Sequence, residues 1–255
     1  MTLGQAIFLF IAAAFTGALN AIAGGGSFIS FPALIFTGVP PIPANATNNV
    51  AAWTGLVAST RAYWSHLDVP RRLLIPLVGV GVVGGTIGAL LLLKTPPSTF
   101  DHLLPWLLFG ATLLFAFSQQ LVGKRKSSVG HNASSGEMAA ACAFLFVAAV
   151  YGGYFGGGLG IILLALLAAL GMTDIHAMNA LKTLLSSCIN GLALVMFMVA
   201  RVIYWPQAVV MIFGSAIGGY FGAHYGRRLP QTWVRLFVIA VGTGMTIYFF
   251  VKIYA

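Results

Sequence analysis

One lysine lies inside an apolar stretch of the sequence, where a positive charge could bind an anion. Lys182 follows Asn179 and precedes Thr183, and no acidic residue lies close to it in the sequence. An unpaired cation within a membrane is costly, and such residues usually face a cavity or a substrate path. The alternative is a lysine that extends along its own stem to the membrane surface. The first interpretation predicts that Lys182 supplies a positive charge to a bound anion.

A matching polar cluster in the first half of the chain contains Asn45, Thr47, Asn48 and Asn49. Amide and hydroxyl groups of this kind, including Thr183 beside the lysine, can donate hydrogen bonds to the oxygens of an oxyanion. Asn and Thr are also common caps at the start of a helix, and this alternative applies to Asn45 and Asn179. We therefore predict a substrate-binding site to which both halves of the chain contribute.

Two glycine clusters stand just before short apolar segments. Glycine adopts backbone angles that other residues cannot, so such a cluster lets a helix end, turn and restart. The restarted helix would offer free N–H groups and a partial positive charge to an anion. The alternative is that the glycines only let helices pack closely. On the first interpretation, the candidate binding residues are Gly25, Gly26, Ser27, Gly157 and Gly158.

The sequence offers little for catalysis or metal binding. It contains no HExxH, no P-loop and no dinucleotide-binding fingerprint, and no pair of histidines has metal-binding spacing on one helix. Cys142 and Cys188 are isolated and predict neither a disulfide nor a metal centre. His176 could carry protons near neutral pH. We predict that the protein is not an enzyme and uses neither a cofactor nor a metal.

The composition indicates that these residues belong to a membrane protein. Of the 255 residues, 59% are hydrophobic and 7% are charged, and the mean hydropathy is +0.95. Soluble domains carry roughly a quarter charged residues. The net charge of +9 could suggest nucleic acid as a partner. However, the basic residues cluster at the ends of apolar segments, where membrane proteins keep their cytoplasmic Lys and Arg. The expected partner is therefore the lipid bilayer.

Apolar segments long enough to cross a bilayer as helices recur along the chain. They cover residues 3–23, 46–65, 71–93, 102–122, 138–155, 180–200, 205–225 and 231–253. Two shorter apolar pieces, 27–37 and 159–170, directly follow the glycine clusters. Three prolines in Gly38–Ala44 predict an extended connection after the first of these pieces.

The two halves of the chain repeat one another on either side of a polar linker at residues 123–137. Three motif pairs recur in order at offsets of 132 to 134 residues: AGGG at 23 with FGGG at 155, NATN at 45 with NALK at 179, and GGTIGA at 84 with GGYFGA at 218. We therefore predict two transmembrane repeats, residues 1–122 and 138–255. Duplicated units with broken helices are a recurring design in secondary transporters.

A second set of glycines recurs at every fourth residue and predicts helix-packing faces. Its members are Gly81 with Gly85, Gly84 with Gly88, and the series Gly214, Gly218, Gly222 and Gly226. These faces could pack within one chain or between copies, so a homo-oligomer is one expectation.

The distribution of basic residues bears on how the chain crosses the membrane. Either eight segments cross, or the two short pieces also carry the chain across, which gives five crossings per half and an inverted relation between the halves. The inverted arrangement separates the charges better and places both termini outside. One side then holds Arg61, Arg71, Arg72, Lys124, Arg125, Lys126, Arg227, Arg228 and Arg235, against Lys94, Arg201 and Lys252 on the other.

These motifs resemble those of the sulfite exporter TauE/SafE family over nearly the whole chain. The resemblance rests on NAIAGGGSFISFPAL, PANATNNVA, YFGGGLGIILLALLAALGM, HAMNALKTLL and GGYFGAHYGRRLP. It implies a duplicated helical transporter, often an exporter, for sulfite, sulfonates or related small anions. By position, the family's repeated polar segments fall on Asn45–Asn49 and Asn179–Thr183. The first copy has Asn48 where the second has Lys182, so the sequence places one cation opposite one amide.

The sequence as a whole predicts an all-α, polytopic membrane protein of a bacterial inner membrane, with two inverted repeats and helices broken after the glycine clusters. Its predicted function is a secondary transporter that exports a small anion bound near Lys182 and Asn48. The alternatives are an anion-selective channel or an uptake permease for another small anion. A membrane-embedded enzyme is a further alternative, which the lack of a catalytic pair disfavours.

Overall fold

The computed structural model describes residues 1–67, 69–122, 135–225 and 231–254. This part of the chain is all helical, as the sequence predicts, because an apolar chain in lipid must pair its backbone groups within each segment. Its α-helices are α1 Leu3–Ile22, α2 Ser27–Phe36, α3 Pro41–Tyr63, α4 Arg71–Lys94, α5 Pro97–Val122, α6 Ser135–Tyr154, α7 Leu159–Ala169, α8 Ile175–Val199, α9 Trp205–Tyr225 and α10 Gln231–Tyr254. A short 3-10 turn, Trp64–His66, follows α3.

Six of these helices are long and apolar enough to span a membrane: α1, α4, α6, α8, α9 and α10. Helices α3 and α5 also have the length, with 23 and 26 residues. The two short helices α2 and α7, of 10 and 11 residues, are too short to span alone. These features confirm an integral membrane protein, and the choice between eight and ten crossings stays a prediction.

The segment that carries three prolines is less extended than the sequence suggested. Helix α3 begins at Pro41, with Pro40 as its N-cap, so most of the predicted extended connection Gly38–Ala44 is helical. Proline is tolerated in the first turn of a helix because the N–H group it lacks would have no intrahelical partner there. That part of the prediction was wrong because the prolines start a helix and do not prevent one.

Two asparagines that the sequence suggested as possible N-caps lie inside helices. Asn45 lies beyond the first turn of α3, and Asn179 lies beyond the first turn of α8, whose N-cap is Asp174. The interpretation of these asparagines as N-caps is therefore wrong. A second boundary also moves, because α6 begins at Ser135 and takes the last residues of the predicted linker 123–137. The rest of that linker lies outside the described residues.

Helices of the first half pack against helices of the second half in two matching sets of contacts. Helix α1 packs against α9, and its counterpart α6 packs against α4. Likewise α3 packs against α9 and α8 against α4, while α3 and α8 contact each other. This reciprocal pattern is the one that the predicted pair of repeats would produce, and the division into repeats stays a prediction. Whether the halves have inverted topology in the membrane stays a prediction.

Glycines make the closest of these helix contacts. A Cβ added to Gly222 would lie 2.5 Å from Cα of Ala18 in α1, and a Cβ on Gly88 would overlap the carbonyl oxygen of Val150 in α6. The two glycines are counterparts in the repeat, which shows why the same motif occurs twice. The packing interpretation is confirmed for Gly81, Gly84, Gly85, Gly88, Gly214, Gly218 and Gly222. Gly226 lies outside the described residues, as do Arg227, Arg228 and the linker cations.

The cap of α8 gives a first testable prediction. The N–H group of His176, with that of Ala177, donates to the Asp174 carboxylate and holds the pKa of this carboxyl below its usual value. We expect Asp174→Ala to lower the stability by about 1 kcal/mol, measured as the thermal unfolding midpoint in detergent. Asp174→Ser, which can still cap the helix, should retain most of the stability that the alanine variant loses.

The pH dependence of this contribution follows from the lowered pKa. A carboxyl with a lower pKa in the folded state adds stability at neutral pH, and this addition is lost as the pH falls through the folded pKa. The difference between wild type and Asp174→Ala should therefore shrink in acid. A difference that grows in acid would contradict the assignment of the cap.

Candidate functional site

The two glycine clusters break helices and meet each other. Helix α1 ends before Gly24 and Gly25, which have φ of +77° and +97°, and α6 ends before Gly156 and Gly158, with φ of +77° and +80°. A Cβ built on Gly24 would lie 2.9 Å from Cα of Gly160. The left-handed backbone and this close approach both need glycine. The two helix breaks therefore pass each other in direct contact.

A small polar cavity lies beside this crossing. Its volume is about 30 Å³, which is room for about two water molecules. The polar side chains that line it are Asn20, Ser27, Asn45, Asn48, Asn49, Lys182, Ser186 and Asn190, and the glycines are Gly24, Gly156 and Gly160. No carboxylate of the described residues lines the cavity. Helices of both halves contribute to it.

Lys182 is the charged group of this cavity and is fully buried, with 0% of its surface exposed. Its Nζ donates to the carbonyl oxygen of Ala21 at 3.2 Å and to Oδ1 of Asn179 at 2.8 Å. Both acceptors are neutral, and an ammonium carries three N–H groups, so one donor remains for a ligand. The side chain does not extend to the membrane surface, and the alternative of a lysine at the interface is wrong.

Asn48, the counterpart of Lys182 in the first half, lines the cavity from α3. Its Oδ1 accepts a hydrogen bond from the Ser30 hydroxyl of α2. Because the oxygen is engaged, the amide nitrogen is the part of Asn48 that can donate into the cavity. The sequence alignment of Asn48 with Lys182 therefore corresponds to two side chains that line one space from opposite halves.

Two further asparagines hold the glycine breaks in place. Asn20 Oδ1 accepts from the N–H of Gly26 at 2.9 Å, and Asn45 Nδ2 donates to the carbonyl oxygen of Tyr154 at 2.8 Å. Asn20 therefore fixes the turn between α1 and α2, while Asn45 links α3 to the end of α6. Both also line the cavity, so they position its walls as well as its polar groups.

Three of the predicted polar binding residues do not line the cavity: Asn179, which accepts from Lys182, and the two threonines. Thr47 Oγ1 accepts from the N–H of Tyr204 at 3.0 Å, and Thr183 Oγ1 donates to carbonyl oxygens of its own helix, at Asn179 and Ala180. One residue along a helix turns the side chain by about 100°, so a position next to Asn48 or Lys182 faces away from it. Both threonines are buried and support the surrounding helices.

The predicted backbone donors of the glycine clusters are mostly engaged. The N–H groups of Phe28 and Ile29 donate to the carbonyls of Gly25 and Gly26, and that of Ile161 donates to Gly158. The carbonyl oxygen of Gly157 accepts from the Tyr151 hydroxyl at 2.6 Å. Gly25, Gly26, Gly157 and Gly158 shape the two turns without lining the cavity, whereas Ser27 lines it. In this conformation the helix starts act on the cavity through their dipoles.

The sequence placed Asn49 in the polar cluster without marking it as a binding residue, and it did not mark Ser186 or Asn190. Asn49 Nδ2 donates to Asn190 Oδ1 at 2.7 Å, which joins α3 to α8 across the cavity. A signal for these residues exists in the sequence. Asn179, Lys182, Ser186 and Asn190 follow one another at three- and four-residue steps, which place them on one face of a helix. A polar face on an otherwise apolar helix indicates a buried site.

The two neighbouring histidines of the described residues lie away from the cavity. The rings of His176 and His66 are 5.3 Å apart between centroids, at the start of α8 and in the 3-10 turn, and neither lines the cavity. Within the described residues, no group of three His, Cys, Asp or Glu side chains is placed to hold a metal ion.

The bundle of broken helices around a buried polar cavity is the architecture of a membrane transporter. A comparison with protein families agrees, because the model of the family described as "Sulfite exporter TauE/SafE" matches residues 9–249. The chain belongs to this family.

Curated relatives carry the same general description. A probable membrane transporter protein of Haemophilus influenzae is 28% identical over 89% of this chain and 88% of its own. The probable membrane transporter protein ORF9 of a Sinorhizobium species is 24% identical, over 94% and 90% of the two chains. The probable membrane transporter protein YfcA of Escherichia coli K12 is 25% identical, over 93% and 87%. No solved structure matches the chain.

Proposed function

We propose that the protein is a secondary transporter that exports a small anion, such as sulfite or an organosulfonate, across a bacterial inner membrane. The anion binds in the cavity between the two halves, near Lys182 and Asn48, and the halves open this cavity alternately to the two sides. In this arrangement the halves are inverted repeats and both termini lie outside. Family membership and the relatives' descriptions support membrane transport, and the cavity supports an anion as the substrate.

The observation that carries the proposal is the buried ammonium of Lys182. A buried charge without an ionic partner costs several kcal/mol, and it is retained where it serves a function. Its polar neighbours in the cavity wall are amides and hydroxyls, and the rest of the wall is glycine and apolar side chains. A bound anion would supply the missing negative charge, while the free ammonium N–H group and the Asn48 amide would donate to its oxygens. This arrangement would bind a cation poorly.

The membrane potential can drive export without a second ion. Moving one negative charge out of a cell gains about 2.3 kcal/mol per 100 mV of potential. The cavity has no carboxylate that could relay protons among its described lining residues. A uniport mechanism, in which the anion moves down its electrochemical gradient, therefore needs neither a coupling ion nor a proton-relay residue.

The size of the cavity favours a carrier over a channel. A cavity of about 30 Å³ holds about two water molecules, whereas a conducting pore needs a continuous wet path. The close contact of the glycine breaks at Gly24 and Gly160 lies beside this space. These helix ends would have to separate for the anion to leave, which is the movement that alternating access requires.

Exchange kinetics provide the test. In liposomes that contain the purified protein, unlabelled sulfite trapped inside should accelerate the entry of radiolabelled sulfite, because a carrier that returns loaded reorients faster than one that returns empty. Liposomes without protein are the control. Sulfite-dependent conductance of single channels in planar bilayers would support the channel alternative and contradict alternating access.

A further inference from the structure

We infer that the cavity selects an anion that itself carries a hydrogen-bond donor, so that its ligand is a small monoanion with a protonated oxygen, recognised by Asn49. This inference rests on the proposed function and specifies the substrate class of the same site. Its basis is one buried oxygen atom, Oδ1 of Asn49. Asn49 lines the cavity and is 7% exposed, and its Oδ1 accepts no hydrogen bond within the described ranges.

The orientation of the Asn49 amide is fixed by a directional chain of hydrogen bonds. This series of hydrogen bonds begins at the backbone carbonyl oxygen of Ser186, which can only accept. Asn190 Nδ2 donates to it at 2.8 Å, so Asn190 must present its Oδ1 to the other side. Asn49 Nδ2 donates to that oxygen at 2.7 Å. Rotating the Asn49 amide would set two oxygens against each other, so Oδ1 of Asn49 is held as a free acceptor.

A buried acceptor without a partner costs about 1–3 kcal/mol. A bare oxyanion, which has only acceptor atoms, would not satisfy Asn49 and would repel its oxygen. An anion with one O–H group would donate to Asn49 and keep its remaining oxygens for Lys182 and Asn48. Ser186 adds a hydroxyl that has no hydrogen-bond partner in the described structure, and it can donate to or accept from such a ligand.

The charge of the cavity wall and the volume of the cavity both restrict the ligand to a small monoanion. Lys182 is the one cation that the described part of the chain places in the cavity wall, and it balances one negative charge. A cavity of about 30 Å³ has room for about two water molecules, which suits a ligand of a few heavy atoms. The class that meets all three conditions is a small, singly charged, protonated oxyanion. Hydrogensulfite belongs to this class.

Chlorate is the matched probe for this inference, because it is a pyramidal monoanion with three oxygens, like hydrogensulfite, but has no proton. We expect titration calorimetry of the purified protein to show hydrogensulfite binding at least about tenfold more tightly than chlorate. In Asn49→Leu, which keeps the shape and removes the acceptor, this preference should disappear while chlorate still binds. The ratio of the two affinities cancels any general effect of the substitution on the fold.

The pH dependence of sulfite binding to the wild-type protein gives a second test, which needs no variant. As the pH rises through the second pKa of sulfurous acid, the protonated form is lost, and the apparent affinity for total sulfite should fall with it. Chlorate binding over the same range is the control and should fall less. Equal affinities for the two probes, or tighter sulfite binding as the proton is lost, would overturn this inference alone. Failure of both anions to bind would instead overturn the proposed function.

Discussion

Replacing Gly88 by alanine is expected to destabilise the protein severely, whereas the same change at Gly79 in the same helix is not. A Cβ on Gly88 would overlap the carbonyl oxygen of Val150, which belongs to the backbone of α6 and cannot rotate away. The helices α4 and α6 would have to separate. Overpacking of this kind costs about 3 kcal/mol or more, and the thermal unfolding midpoint should fall accordingly.

Gly79 is a suitable control because nothing lies within 4 Å of the position that its Cβ would take. Alanine favours a helix over glycine by up to about 1 kcal/mol, so Gly79→Ala should leave the midpoint unchanged or raise it slightly. The measurement is the loss of monodisperse protein in detergent after heating. Equal midpoints for the two variants would show that α4 and α6 do not make this contact.

Replacing Lys182 by methionine is expected to reduce transport strongly while leaving the protein folded. The side chains have similar length, but methionine offers neither charge nor donor to the anion. Removing one partner of a buried charge pair costs 2–5 kcal/mol, so sulfite flux in liposomes should fall by about 100-fold. The matched control is Lys94→Met, because Lys94 is exposed in the last turn of α4 and away from the cavity.

The stability of Lys182→Met separates a binding role from a structural role. Burying an ammonium among neutral groups is unfavourable, and apolar replacements of buried charges are often neutral or stabilising. The thermal midpoint of the variant without substrate should therefore equal or exceed that of the wild type. A variant that loses both stability and flux would show that the hydrogen bonds to Ala21 and Asn179 are structural.

Helix boundaries were largely predictable, because hydropathy and glycine positions determine them locally. The predicted spans match the helices to within a few residues, apart from the starts of α3, α5 and α8, each of which lies five residues earlier than predicted. The error at α3 arose because Pro41 was taken to exclude a helix, although it stands at the helix start, where proline is tolerated. Duplication of the glycine motifs also anticipated which helices pack closely, since equivalent glycines make equivalent contacts.

The composition of the site was only partly predictable, because it depends on which faces of distant helices meet. Lys182, Asn48, Asn45 and Ser27 were selected from their residue types and do line the cavity. Thr47 was selected for its type as well, but its side chain bonds to Tyr204, a contact that the sequence does not reveal. Asn190 lies 141 residues from its partner Asn49, and no local pattern pairs them.

The most direct test of the anion site is equilibrium binding to Lys182→Met, because binding does not depend on the movement of the two halves. Sulfite at about 100 times its dissociation constant should stabilise the wild type by about 2.7 kcal/mol, seen as a higher thermal unfolding midpoint. The folded Lys182→Met variant should show no such shift, while Lys94→Met should behave as the wild type. An equal sulfite-dependent shift in Lys182→Met would contradict the assignment of the cavity as the anion site.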